Sequence, residues 1–258
     1  MLLPRVLTAF VGIPVLLFLI HWGGLSFDIL VAAIAALCLY EYGVILLLGG
    51  KPVQRAGVIL IGTALALGQA LGGPMGPLFA GATALIILRE MAARQHDLER
   101  AALTLFGVLF LGWMPSHLAL VRDLRPFGER LTYMLFASIW ACDTTAYFAG
   151  HAVGRHKLAP VLSPKKTWEG FVAGFAAAVA VVFAFRATTP GMMTGTRALA
   201  VAVSIGLVGQ LSDLAESMVK RAVGAKDSGA LLPGHGGIMD RFDSYLLAAP
   251  AVYYSLTL

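Results

Sequence analysis

Charge is scarce in this chain: only 13% of its 258 residues are charged, about half the roughly 25% found in soluble proteins. That shortage excludes a soluble globule, because too little polar side chain exists to cover one. Cysteine is nearly absent. Cys38 and Cys142 both fall inside apolar runs, far from any metal-ligand spacing, and read as small buried hydrophobes rather than a disulfide. The chain also lacks internal repeats, a low-complexity tail and a hydrophilic domain. No basic stripe is interleaved with aromatics, which excludes nucleic acid as a partner. Ser-His-Asp and Cys-His arrangements are missing too, so nothing points to covalent catalysis.

What the chain does have is apolar length, with 59% hydrophobic residues. Hydropathy marks segments at 6–20, 26–48, 57–72, 75–91, 101–121, 131–150, 168–187, 197–219 and 243–258. Each approaches the ~20 residues an α-helix needs to cross a bilayer core of roughly 30 Å. The expected fold is therefore all-α, a polytopic membrane protein of about nine transmembrane helices. The split of 57–91 rests on the turn Gly72-Gly73-Pro74. Arg5 precedes the first apolar run as in a signal peptide, but no cleavage site follows, so a retained helix is expected. Under nine crossings, one side collects 14 of the 19 lysines and arginines: Arg5, Lys51, Arg55, Arg89, Arg94, Arg100, Arg155, Lys157, Lys165, Lys166, Lys220, Arg221, Lys226 and Arg241. That side, with the N-terminus, should face the cytoplasm. The net charge of +5 is then topology signal plus attraction to anionic lipid.

Residues 1–125 read as a transmembrane scaffold, their acids (Asp28, Glu41, Glu90, Asp97, Glu99, Asp123) placed at helix ends or in loops. Residues 126–258 read as the catalytic region, because polar clusters appear there within helices. An ionised group near the bilayer centre costs at least about 2.5–3.5 kcal/mol, so it normally has a partner, a cavity or a task. Asp143 lies mid-helix with Thr144 and Tyr147 beside it, facing a polar cavity. The segment 154–170 holds four cations within twelve residues. Its Ser163-Pro164-Lys165-Lys166-Thr167 stretch sits where a helix N-terminus begins, a place that favours phosphate.

The densest cluster spans 212–244. At about 100° per helical residue, Asp213, Glu216, Ser217 and Lys220 share one face. Lipid cannot be what that face sees. The glycine-rich turn Pro233-Gly234-His235-Gly236-Gly237 follows, letting backbone approach a ligand. Asp240, Arg241 and Asp243 then open the last helix. Carboxylates suit a hard cation such as Mg²⁺, and Asp213 and Asp240 on adjacent helix ends would share one ion or a pair. His235 is a candidate acid or base, or a phosphate-orienting group.

The run Ser217-x-x-Lys220-Arg221-x4-Lys226-Asp227-x-Gly229-x3-Pro233-Gly234-His235-Gly236-Gly237-x2-Asp240-Arg241-x-Asp243 resembles the signature of phosphatidate cytidylyltransferases, also called CDP-diacylglycerol synthases. Asp143-Thr144-x-Ala146-Tyr147 and Ser163-Pro164-Lys165-Lys166-Thr167-Trp168-Glu169-Gly170 resemble that family as well. His151 and Arg155 stand where other basic residues are common, and no signature carboxylate is missing. The resemblance implies Mg²⁺-dependent transfer of CMP from CTP to phosphatidic acid, giving CDP-diacylglycerol and pyrophosphate. It implies Asp213 and Asp240 as metal ligands, with Asp243 and Glu216 as second choices and room for a second mono- or divalent ion. Lys226, Arg241, Lys220, Arg221 and His235 would hold the triphosphate or the lipid headgroup. Lys165 and Lys166, with Ser163, would bind a phosphate, and Asp143 would shape the cavity. Ser217, Asp227, Gly236 and Gly237 complete the substrate-binding set. A homodimer in the bacterial inner membrane, its site open to the cytoplasm, is implied too. Two rivals remain: a relative acting on another lipid phosphate, such as an archaeal ether lipid, and a transporter or scramblase. Polarity confined to one half speaks against the transporter.

Overall fold

The structure, a computed structural model, describes residues 3–231, 234 and 236–258, with backbone only for residues 3–7. The described residues form nine helices: α1 Leu3–Trp22, α2 Gly24–Leu48, α3 Arg55–Ala70, α4 Met75–Met91, α5 Leu98–Asp123, α6 Gly128–Ala152, α7 Trp168–Thr188, α8 Gly195–Ala222 and α9 Met239–Thr257. Each covers one of the apolar segments above. Four of them, α2, α5, α7 and α8, are long and apolar enough to cross a membrane. Only 22% of the most apolar stretch of α7 is buried. The rest turns Val172 and Phe183 outward, which water would penalise and hydrocarbon accepts.

The break between α3 and α4 falls at the glycine pair. Gly72 takes φ 72°, a left-handed conformation that glycine adopts without steric cost. A Cβ on Gly73 would lie 2.7 Å from the Gly68 carbonyl oxygen. Asp97 begins α5 by accepting from the amides of Glu99 and Arg100 at 2.9 and 3.3 Å, which satisfies donors that a helix start leaves unpaired.

One departure from an all-helical chain is a short antiparallel hairpin, β1 Lys157–Ala159 with β2 Ser163–Thr167. The chain is therefore mostly helical rather than purely so. These strands are only three and five residues long and hold lysines and a proline in place of an apolar alternation, so no period-2 signal announces them. Their end sets up α7: Thr167 Oγ1 accepts the Gly170 amide at 3.2 Å, an N-cap bond.

The helices group into two compact units, Met1–Leu120 with Lys220–Phe242 and Val121–Val219 with Asp243–Leu258. In the first, α2 packs on α3 and α5. Buried Tyr42 reaches through that contact to donate to the Leu103 carbonyl at 2.8 Å. Glu90, buried near the end of α4, receives Arg100 and the Gln54 amide, the latter at 2.9 Å. In the second unit α6 lies along α7. Gly170 and Gly174 line that contact, where a Cβ would come within 2.6 and 2.8 Å of the Ala146 and Cys142 carbonyl oxygens. Close approach over small residues is how helices associate where lipid gives no hydrophobic drive. Cys38 and Cys142 are buried free thiols, as their place inside apolar helices requires.

Candidate active site

In the second unit, carboxyl groups from three helices lie near one another, and a lysine pairs with one of them. α8 carries a wide π-type turn at Ser204–Gly209. Gln210 follows it and donates its side-chain amide to the Gly206 and Phe171 carbonyls at 2.6 and 3.1 Å, so the irregular turn keeps its backbone satisfied. Asp213 and Glu216 come next on α8. Lys166 extends from β2 to Asp213 Oδ2 at 2.7 Å and toward the Gln210 carbonyl at 3.4 Å. Asp243 on α9 lies close enough to Asp213, Glu216 and Asp143 to interact with their charges. Asp143 of α6 is hydrogen-bonded by Ser244, itself buried. Glu216 is wholly buried, whereas Asp143 is exposed, an acid open to its surroundings in the middle of an apolar helix. Ser212 ties α8 to α9: its hydroxyl donates to the Asp243 carbonyl and accepts the Leu247 amide at 3.0 Å.

A second polar cluster lies in the first unit. Lys220, in the last turn of α8, donates to Asp240 Oδ1 at 2.6 Å, with both side chains about nine-tenths covered. Asp240 Oδ2 accepts the Ser228 amide and hydroxyl at 3.0 Å each and the Gly237 amide at 3.2 Å. Burial works to raise the Asp240 pKa, but the Lys220 and Ser228 bonds outweigh it and hold the carboxyl below its ordinary value. A depressed native pKa stabilises the fold above the unfolded pKa of about 3.9, and that contribution is lost as pH falls through the native value. The pair therefore stands at neutral pH.

Behind Asp240 sits Glu41, in the interior of α2 and 2% exposed. Its Oε1 accepts the Ile238 amide and its Oε2 the Met239 amide, both at 2.9 Å, and Oε2 also takes the Ser228 hydroxyl at 2.8 Å. Gly237 passes directly over this carboxylate. A Cβ there would stand 1.8 Å from Ser228 Oγ and 2.5 Å from Glu41 Oε2, and one on Gly229 would be 2.9 Å from Glu41 Oε1. Only residues without side chains fit. Gly236 takes φ 82° as the chain turns into α9.

The other expected site residues are placed as follows. Lys226, Asp227 and Arg241 are exposed, and Arg221 is exposed with a bond to the Ala225 carbonyl at 3.0 Å. Ser217 is buried one turn from Asp213, its hydroxyl 3.5 Å from that carboxylate. Ser163, Lys165 and Lys166 lie on β2 rather than at a helix start. Neighbouring strand residues point to opposite faces, so Lys166 reaches Asp213 while Lys165 is exposed. His235 and Pro233 lie outside the described residues. Asp213 and Asp243 belong to the second unit and Asp240 to the first.

Comparison with known proteins decides the family. The profile of the cytidylyltransferase family matches residues 3–258. The chain belongs to the cytidylyltransferase family. Among curated relatives, the phosphatidate cytidylyltransferase of Brucella abortus biovar 1 (strain 9-941) is 37% identical over 255 residues, covering 96% of this chain and 91% of that protein. The phosphatidate cytidylyltransferase of Bacillus subtilis (strain 168) is 32% identical over 265 residues, 98% and 97% of the two chains. That of Staphylococcus epidermidis (strain ATCC 35984) is 46% identical over 125 residues, 48% of each.

Within this cytidylyltransferase, Glu41 is a member of the second polar cluster that the sequence reading places among the scaffold acids at helix ends. It lies well inside α2. The signal was present, since an acid within an otherwise apolar span is costly unless it has partners. Ser228, which touches both Glu41 and Asp240, carried no such signal. The acidic cluster suits a hard cation. Asp143, Asp213, Glu216 and Asp243 lie close enough to repel one another, with Lys166 paired to Asp213, and a divalent ion would relieve that repulsion. No three acidic, histidine or cysteine side chains among the described residues are placed to ligate one ion together. Mg²⁺ does not require three, since it is commonly held by one or two carboxylates with water and substrate oxygens. The two neighbouring lysines should separate in function. Lys166→Ala should lower turnover at least about tenfold more than Lys165→Ala, the loss of about one charge-assisted bond, measured as CDP-lipid formed by purified variants.

Proposed function

We propose that the protein is a CTP:phosphatidate cytidylyltransferase of a bacterial membrane, transferring CMP from CTP to phosphatidic acid and releasing pyrophosphate. The observation that carries this reading is the near full-length match to relatives bearing that name, on a chain whose apolar helices suit a bilayer. The polar clusters agree with the chemistry. A phosphate monoester is largely dianionic at pH 7, with a second pKa of about 6, so its oxygen needs no general base. That oxygen attacks the α-phosphorus of CTP, the bond to the β-phosphate oxygen breaks, and pyrophosphate leaves with the electron pair.

What this chain must supply is alignment and neutralisation of charge. We assign Asp213 and Asp243 as ligands of Mg²⁺; Asp240 is a further candidate ligand on the strength of the signature alone. Bound Mg²⁺ would neutralise phosphate oxygens and stabilise the leaving pyrophosphate. Lys226, Arg221 and Arg241 are exposed and suited to triphosphate oxygens, while Lys220 holds Asp240 and with it the start of α9. Lys166 stands beside Asp213, where it can meet a phosphate once the ion has taken over the carboxylate. Asp143, exposed on α6, would present a polar group to the substrate. A site open to the cytoplasm follows from the lysine and arginine distribution and from the water-soluble nature of CTP.

The test is a nucleotide panel. CTP, dCTP, UTP and ATP are each offered with diacyl phosphatidate to protein in detergent, and products are separated by mass. CTP should give a CDP-lipid at least about tenfold faster than UTP or ATP, a ratio one set of base-reading hydrogen bonds readily supplies. Absence of nucleotidyl-lipid from every nucleotide would overturn the reading. Product from an ether-linked lipid phosphate but none from the diacyl substrate would move it to the lipid relative considered above.

A further inference from the structure

We infer that Glu41, a buried carboxylate of α2, is a positioning residue for nucleotidyl transfer: it holds the signature segment around Ser228, Gly237 and the start of α9 so that Asp240 is correctly aimed. The inference rests on the proposed reaction and names a residue outside the signature on which that reaction would depend.

Three independent features converge on it. The first is capping. α9 begins at Met239, so the preceding residue, Ile238, stands where a serine or aspartate would normally cap the helix, and it has no oxygen to offer. Glu41, from 197 positions earlier in the chain, instead satisfies two of the amides that a helix start leaves unpaired, one oxygen on the Ile238 amide and the other on the Met239 amide. A carboxylate at a helix N-terminus is also favoured by the helix dipole.

The second feature is the link to Asp240. Ser228 Oγ lies 2.8 Å from Glu41 Oε2 and 3.0 Å from Asp240 Oδ2. A single hydroxyl thus sits between the two carboxylates and fixes their separation. Moving Glu41 moves the groups that orient Asp240.

The third is the shape of the signature itself. Two of its glycines, Gly229 and Gly237, are the positions where a Cβ would strike the Glu41 carboxylate or the hydroxyl bound to it. The glycines allow the backbone to close over a buried acid in another helix. A purely local turn would not need both to be bare at that point.

The experiment uses full-length protein in detergent. It compares Glu41→Gln with wild type and with Asp28→Asn, which alters another buried acid of α2 (6% exposed) outside the site. Glu41→Gln keeps size but turns an N–H₂ toward backbone donors. Its kcat should fall about 30-fold while KM for CTP changes less than about threefold, because the cost appears in alignment of the reacting groups. Amide hydrogen exchange at Ile238 and Met239 should quicken. Glu41→Asp, which keeps the charge on a shorter arm, should recover part of the rate. Asp28→Asn should leave kcat within about twofold, as a substitution away from the site does. The inference is overturned if Glu41→Gln folds and keeps wild-type kcat, or if Asp28→Asn loses as much. Should Glu41→Gln not fold, Glu41→Asp decides: a kcat loss with quicker exchange at Ile238 supports it, and wild-type kcat overturns it. An inactive wild type would instead defeat the proposed reaction.

Discussion

Asp213→Asn is expected to lower CDP-lipid formation by at least about a thousandfold, the scale on which removal of a key charge-stabilising group acts, while the protein melts within a few degrees of wild type. The change is isosteric and removes one negative charge from a cluster of four carboxyl groups. Loss of the charge removes the carboxylate that Lys166 contacts at 2.7 Å. It also relieves repulsion from Asp243, so the two effects on stability oppose each other. The effect on chemistry has no such compensation, because an amide is a poor ligand for a hard cation. Turnover and melting temperature measured on one preparation separate the two. A variant with at least a tenth of wild-type turnover would remove Asp213 from the machinery.

Asp240→Asn is expected to fail differently, losing both turnover and stability. Asp240 accepts from Lys220, from the Ser228 amide and from the Gly237 amide, and shares the single Ser228 hydroxyl proton with Glu41. An asparagine in its place removes the charge that the nearly covered Lys220 ammonium pairs with at 2.6 Å, and breaking such a pair costs about 3–5 kcal/mol. Denaturant unfolding in detergent should show a loss near the lower end of that range, because about a tenth of each side chain remains accessible. The double variant Lys220→Met with Asp240→Asn should regain part of the stability and none of the activity. That non-additivity is expected for residues in direct contact. Equal stability of single and double variants would show that the pair is not holding the segment.

The contrast between these two aspartates was not visible before the structure. Their residue types and spacing marked both as ligands, but spacing along one helix says nothing of what lies across from it. Helix positions were legible, because each helix follows an apolar run in the sequence, and four of them reach the apolar length that a bilayer demands. The Gly72-Gly73-Pro74 break was legible for the reason that it exists, a conformation glycine tolerates. The hairpin at 157–167 was not, since its short strands carry lysines and a proline in place of an apolar alternation. Lys165 and Lys166 looked equivalent in a basic loop and became distinct only once a strand put them on opposite faces. Glu41 was readable in part. It sits in an apolar run as Asp143 does, but Asp143 has Thr144 beside it to suggest a polar cavity. Glu41 is flanked by Tyr40 and Tyr42, and its partners lie almost two hundred residues away.

The most direct test of a metal-assisted nucleotidyl transfer at the acidic cluster is single-turnover formation of CDP-lipid by chelator-stripped protein, titrated with Mg²⁺. Wild type should form no product until the ion is added, and then recover fully, while Asp213→Asn should remain inactive at every Mg²⁺ concentration. Full turnover by wild-type protein in excess chelator would contradict the assignment of these carboxylates.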